Sequence, residues 1–217
     1  GPSDFVTDAD LASQRAIESL LMERFPGHQF LGEETPVQVA KQADDAHICW
    51  VVDPLDGTTN YVHDMPMYSV SVAAVLAGEV LAGAIYDPNR EELFWAARGQ
   101  GAWLTTIAGD DVQLSTSEAQ TLADSLLAMS LPAAVNNESP DLMDFIRIAP
   151  GCQAVRRIGS AALNLAYVAC GRLDGHWARE INAWDVAAGV LLVNEAGGVV
   201  TNDCGAPFDL WNPRFVA

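Results

Sequence analysis

The sequence predicts one compact unit in which an α+β half is followed by an α/β half. A meander of strand-like runs fills residues 68–96, and helix and strand patterns alternate over residues 141–201. Half of the 217 residues are hydrophobic and only 18% are charged, so the chain can bury a sizeable core within one domain, or two small ones sharing a core. Eleven Lys plus Arg stand against 29 Asp plus Glu, a net charge of −18. That surface repels a phosphate backbone and anionic lipid, which argues against nucleic acid and membrane as partners. It also repels a phosphorylated metabolite, unless carboxylates converge on divalent cations that invert the local sign.

Taken in order, Thr7-Asp8-Ala9-Asp10 is a T-x-x-D capping box ahead of Leu11, Ala16, Ile17, Leu20, Leu21 and Phe25, apolar positions at helical spacing. Pro26-Gly27-His28 stops that helix. Phe30-Leu31 reads as the end of a short strand. Residues 48–52 form a continuous apolar run, hence a strand buried on both faces, which is expected to end abruptly at Asp53-Pro54. Runs at 68–76, 80–86 and 92–96 are punctuated by Ala77-Gly78-Glu79 and Asp87-Pro88-Asn89, the pattern of an antiparallel meander. The polar stretch 136–140 marks a seam between halves 1–135 and 136–217. Beyond it the pattern predicts helix 141–148, strand 153–158, helix 160–170, strand 172–177, helix 185–195 and strand 198–201.

Cys49, Cys152, Cys170 and Cys204 lie far apart with no C-x-x-C pair, which reads as buried free thiols in a reducing cytoplasm. No apolar run approaches about 18 residues, so a soluble protein is expected. The chain opens Gly1-Pro2-Ser3 without a basic-then-apolar leader and without an initiator Met, so its natural N-terminus is expected to be missing or altered.

Magnesium-assisted phosphoryl chemistry needs hard oxygen ligands, and three places offer carboxylates at strand ends or helix starts. Gly32-Glu33-Glu34 follows the first short strand; alone it reads as a solvated acidic turn. The octet Asp53-Pro54-Leu55-Asp56-Gly57-Thr58-Thr59-Asn60 is more specific. Pro54 fixes φ and turns the chain sharply, bringing Asp53 and Asp56 to one point. Gly57 permits close backbone approach, and Thr58-Thr59 opens a helix whose free N–H groups accept a phosphate. Trp184-Asp185-Val186-Ala187-Ala188-Gly189 puts an acid at the start of an apolar helix, where an Asp is also an ordinary N-cap.

In that order, these three segments resemble the motifs of the inositol monophosphatase family. Asp4 to Asp10, Gly159-Ser160-Ala161-Ala162 and Glu195-Ala196-Gly197-Gly198 fit its pattern as well, so the likeness spans essentially the whole chain. The family's first helix is expected to lie before Gly1 and its C-terminal tail after Ala217. The resemblance implies a layered α/β/α/β/α sandwich, a homodimer, inhibition by lithium and by excess magnesium, and a site at the junction of the halves. It implies Glu33, Asp53, Asp56 and Asp185 as ligands of two or three Mg²⁺ ions, joined by the Leu55 carbonyl. Gly57 and Thr58 would hold the phosphate together with Asp56, and Ser160 and Ala161 would lie near the substrate's alcohol. Thr58 would orient the attacking water, with Asp10 accepting its hydroxyl proton and Glu33 drawing on the same water. Asp10 has the alternative of serving only the capping box.

A phosphate monoester dianion repels a nucleophile and releases a poor alkoxide, so the reading is direct in-line attack by metal-activated water, without a covalent intermediate. Family members often carry an acid seven residues before the Trp-Asp aspartate, on substrate hydroxyls; here that position is Ala178, and Glu180 is out of register. Inositol monophosphate is the first expected substrate, with histidinol phosphate, 3′-phosphoadenosine phosphates, fructose bisphosphate and NADP as alternatives. Two rivals differ in kind. An aspartyl-nucleophile phosphatase would use a D-x-D-G-T box, but Pro54 stands where its first acid belongs. A non-catalytic binding or regulatory member would have lost ligands, and only the position of Ala178 lacks its carboxylate. His28, His47, His63 and His176 are too scattered for a metal cluster, and Arg156-Arg157 reads as a solvated pair that could also reach an anionic substrate.

Overall fold

The structure, a computed structural model, describes residues 6–35, 46–132 and 135–217. Asp4 and Phe5 of the family-like N-terminal segment lie outside them. Helix α1 (Asp8–Arg24) starts at the expected box: Thr7 accepts from the Ala9 and Asp10 amides, and Asp10 accepts in return from the Thr7 amide. It closes at Phe25, ahead of Pro26.

Seven strands build the first sheet: β1 (Gln29–Gly32), β2 (Cys49–Asp56), β3 (Ser69–Leu76), β4 (Glu79–Asp87), β5 (Glu92–Ala97), β6 (Ala102–Thr105) and β7 (Asp111–Gln113). They lie in sequence order, β1 parallel to β2 and every later pair antiparallel. The meander is therefore present and two strands longer than the sequence pattern indicates. Strands β8 (Leu126–Met129), β9 (Ala154–Arg156), β10 (Gly175–Ala178) and β11 (Phe215–Val216) form the second sheet in the order β11-β10-β8-β9. Between the strands run a short α2 (Thr58–Val62), α3 (Pro140–Ile148), α4 (Ala161–Ala169) and α5 (Ala183–Glu195). Strand β8 precedes the polar stretch 136–140 yet lies in the sheet shared with β9 and β10, which follow it.

Three expectations need correction. The strand through residues 48–52 does not end at Asp53-Pro54: β2 continues to Asp56, which pairs with Ser69 after a register shift beyond Asp53. Pro54 sits in that irregularity, where a missing N–H costs no ladder bond. Residues 198–201 form no strand; only Thr201 bridges, to Pro207 and Val216, because Gly197 at φ +90° and the Gly198 amide bonding to Val193 turn the chain out of α5. Asp185 is not an N-cap. Asn182 holds that place, and Asp185 is the third residue of α5, reciprocating a capping box.

The layers follow from which faces are apolar. Helix α1 packs on β1 and β2, while α4 and α5 pack on each other and on β3 and β4. Val51, Ala73, Val75, Ile85 and Phe94 join α4 and α5 in one core. Gly83 in β4 lets α5 approach: a Cβ there would stand 2.8 Å from the Ala188 Cα. Helix α4 also contacts β10 of the second sheet, and α3 lies beyond that sheet, its Asp144 and Ile148 lining a cavity with Leu127, Trp177 and Phe215. The order is α1, seven-stranded sheet, α4 with α5, four-stranded sheet, α3: the expected α/β/α/β/α sandwich. Among the described residues no helix is long and apolar enough to cross a membrane.

Candidate active site

Where β2 ends, the first sheet meets the N-termini of α4 and α5. Asp53 and Asp56, both buried, and Asp185 each offer a carboxylate oxygen, all within 4.8 Å of one another. Local bonds aim each one. Asp53 Oδ1 accepts from the Leu55 amide at 3.0 Å. The Asn182 amide donates to Asp185 Oδ2 at 2.7 Å. Asp56 caps α4 from 104 residues away: its Oδ2 accepts from Ser160 Oγ at 2.6 Å and the Ala162 amide at 2.7 Å, and its Oδ1 from the Ala161 amide at 3.2 Å. A helix N-terminus lends these bonds additional positive character. Ser160 and Ala161 are thus brought to the site, with the Ser160 hydroxyl directed at Asp56. Ala161 also lines the neighbouring cavity.

Glu33 follows β1, its amide held by the Val52 carbonyl at 3.1 Å, and its carboxyl interacts with Asp185, Asp53 and Asp56. It is not among the three whose oxygens converge most closely. Beyond Asp56, Gly57 takes φ +99°, where a Cβ would lie 2.9 Å from the Met67 carbonyl oxygen, so the loop needs glycine there. Thr58 Oγ lies 3.0 Å from both Asp10 Oδ1 and the Leu55 carbonyl. Its one hydroxyl proton is directed at these two acceptors, which leaves the oxygen's lone pairs to accept from a further donor. Asp10, fully buried, serves the capping box and Thr58 at once, so its two readings are not exclusive.

Sequence reasoning passed over the groups that brace this site. Asn60 Nδ2 bonds the Met67 carbonyl at 2.6 Å and the Ile158 carbonyl at 2.8 Å, tying the acidic loop to the turn before α4. Ser13 on α1 donates to the Pro54 carbonyl at 2.9 Å. The only cue for Asn60 is an amide inside an otherwise specific octet; nothing in the sequence marks Ser13.

Crowding four acids, Asp53 and Asp56 buried and Glu33 and Asp185 half-buried, raises their pKa values. Burial first, then the Asp185 charge, pushes Glu33 up to about 8. Burial and Asp185 likewise push Asp56 up to about 7, and burial raises Asp185 to about 6. Asp53 lies well above the usual carboxylate range for the same reasons, burial leading. These are hard oxygen donors on rigid elements that suffer from one another's charge, so the set fits a divalent cation such as Mg²⁺.

An open cavity of about 210 Å³ adjoins the cluster, sharing Asp56 and Asp185 and lined also by Ser130, Arg157, Ala161 and Glu180. Ala178, at 1% exposure in β10, presents no carboxyl. All four cysteines are free, and burial pushes the Cys49 thiol up to about 11.

Residues 1–217 match a family model described as the inositol monophosphatase family. An inositol-1-monophosphatase of Rhizobium meliloti is 41% identical over 203 residues, covering 93% of this chain and 73% of that protein. A protein of Pasteurella multocida named Nus factor SuhB is 40% identical over 218 residues, covering 99% of this chain and 78% of its own length. Among solved structures, the inositol monophosphatase of Anabaena (Nostoc) superposes with a TM-score of 0.87 at 40% identity, covering 97% of this chain and 81% of that one.

Proposed function

The chain belongs to the inositol monophosphatase family and is a phosphoric monoester hydrolase, and from that premise we propose that it is a Mg²⁺-dependent phosphatase of small phosphorylated metabolites, inositol monophosphate first among them. The observation that carries this reading is the convergence of Asp53, Asp56 and Asp185 within 4.8 Å, beside a threonine hydroxyl held by a buried aspartate. Glu33, Asp53, Asp56, Asp185 and the Leu55 carbonyl would hold two or three ions. Bound there, Mg²⁺ supplies charge neutralisation for the phosphate oxygens, a more acidic water and stabilisation of the departing alkoxide.

The chain's own groups do the rest. Thr58 Oγ accepts a hydrogen bond from the attacking water, because its proton is committed to Asp10 and Leu55. Glu33, with a pKa pushed up to about 8 in the metal-free protein, draws on the same water. Gly57 and Thr58 receive the phosphate at the start of α2, where backbone N–H groups lack intrahelical partners. Asp56 is a poor nucleophile: three donors already occupy its two oxygens, which favours one in-line displacement over an aspartyl intermediate. Residues 1–135 supply every ligand but Asp185, which comes from 136–217, so the two halves work as one catalytic unit. Four free thiols suit a reducing cytoplasm, and a homodimer is the assembly the family resemblance implies.

Relatives named Nus factor SuhB favour a second reading, a binding or regulatory protein. One experiment separates the two. Phosphate release is measured on inositol monophosphate, histidinol phosphate, 3′-phosphoadenosine 5′-phosphate, fructose bisphosphate and NADP, with Mg²⁺ and after exhaustive chelation. Turnover that needs Mg²⁺ and falls with lithium is expected. No turnover on any ester supports the binding reading, and full turnover without metal refutes the metal assignment.

A further inference from the structure

We propose that Arg157 is a specificity-determining residue that selects phosphate monoesters whose alcohol half carries a second anionic group, a phosphate or a carboxylate. The inference rests on the site proposed above, because it concerns what occupies the cavity beside it. That cavity shares Asp56 and Asp185 with the acidic cluster, so the alcohol of an ester whose phosphate sits at the cluster extends into it. Arg157 lines the same cavity.

Other arginines near carboxylates are engaged: Arg172 makes a two-pronged contact with Glu92, and Arg179 reaches Asp141, Asp144 and Asp203. Among the described residues Arg157 has no ion-pair or hydrogen-bond partner, although Glu180 faces the same space. In a chain with 29 acids and 11 bases, a guanidinium left unneutralised beside the site is a fork of donors available to a ligand. Its backbone is held as well: Ile158, the next residue, is anchored through its carbonyl to Asn60 of the acidic loop. Among the described residues lining the cavity Arg157 is the only cation, and Glu180 is the only carboxylate there beyond Asp56 and Asp185 of the cluster. A second anion on the alcohol half therefore meets an unpaired cation whose neighbouring backbone is tied to the acidic loop.

Two matched ester pairs test this with Mg²⁺ present: 3-phosphoglycerate against glycerol 3-phosphate, and inositol 1,4-bisphosphate against inositol 1-phosphate. Wild type is expected to favour the anionic member in kcat/KM. Arg157→Ala should lower that preference roughly tenfold, the effect of losing one charge-assisted contact, chiefly through KM. Arg157→Lys should restore part of it, and Arg157→Glu should shift preference toward histidinol phosphate. Arg156→Ala, outside the cavity lining, should leave the ratios unchanged. Equal preference in wild type and Arg157→Ala, with both hydrolysing the esters, overturns the role of Arg157 while the phosphatase reading stands. A wild type that hydrolyses none of the four sinks the phosphatase reading itself.

Discussion

Asp53→Asn is expected to abolish turnover, lowering kcat by roughly 10³-fold or more, while the fold persists. Asp53 is 1% exposed and lies among Glu33, Asp56 and Asp185, where burial and their charges together raise its pKa. An amide matches its volume but cannot supply the negative charge that holds cations together, and those cations are asked for several kcal/mol of transition-state stabilisation, each ~1.4 kcal/mol being tenfold in rate. Without metal the same change removes one member of a mutually repelling set, so the metal-free variant should melt higher than metal-free wild type at pH 8. Steady-state kinetics with excess Mg²⁺ and paired melts check both halves. Wild-type kcat in the variant would remove Asp53 from the site.

Thr58→Ala is expected to lower kcat by roughly 10² to 10³, the scale for losing one well-placed polar group in a preorganised site. The methyl group leaves Asp10 Oδ1 and the Leu55 carbonyl without their shared donor and removes the acceptor for the water. Because Asp10 also closes the α1 capping box, Asp10→Asn should lose activity and some α1 stability together. Thr58→Ser keeps the hydroxyl and should retain most activity. Loss of activity in Thr58→Ser as large as in Thr58→Ala would point to packing rather than the hydroxyl.

The parts of this molecule legible in its sequence are those decided within a few residues. The T-x-x-D box fixed the start of α1, and the strand-acid-Pro-acid-Gly-Thr order located Asp53, Asp56, Gly57 and Thr58 because each needs only its neighbours. Short elements whose stability comes from the sheet they join were not legible. Strand β8 is four apolar residues without a turn signature, and β7 is exposed and polar. Pro54 misled for a local reason: proline ordinarily ends a ladder, and only the register shift across from Ser71 and Ser69 lets β2 pass through it. The capping of α4 by Asp56 joins positions 104 residues apart, and no local pattern announces it. Arg157 shows the same limit, since its place in the cavity depends on how the second sheet meets the first.

The claim on which all of this depends is that buried acids near Asp53 form a site that suffers without a cation. Glu33 at about 8, Asp56 at about 7 and Asp185 at about 6 lie above ordinary carboxylate values near 4. Between about pH 4 and pH 8 these acids therefore hold more protons in the folded metal-free protein than in the unfolded chain and make its stability fall as pH rises through that window, outweighing the opposite pull of His176, which burial keeps neutral down to about pH 3. Cation binding to the folded state alone reverses the loss in proportion to the logarithm of metal concentration. Melting the chelated protein from pH 5 to pH 8, then titrating Mg²⁺ at pH 8, measures this without reference to any substrate. A melting temperature that falls with pH and is restored by Mg²⁺ in wild type, but far less in Asp53→Asn, is the predicted result; one flat in pH and indifferent to Mg²⁺ would contradict it.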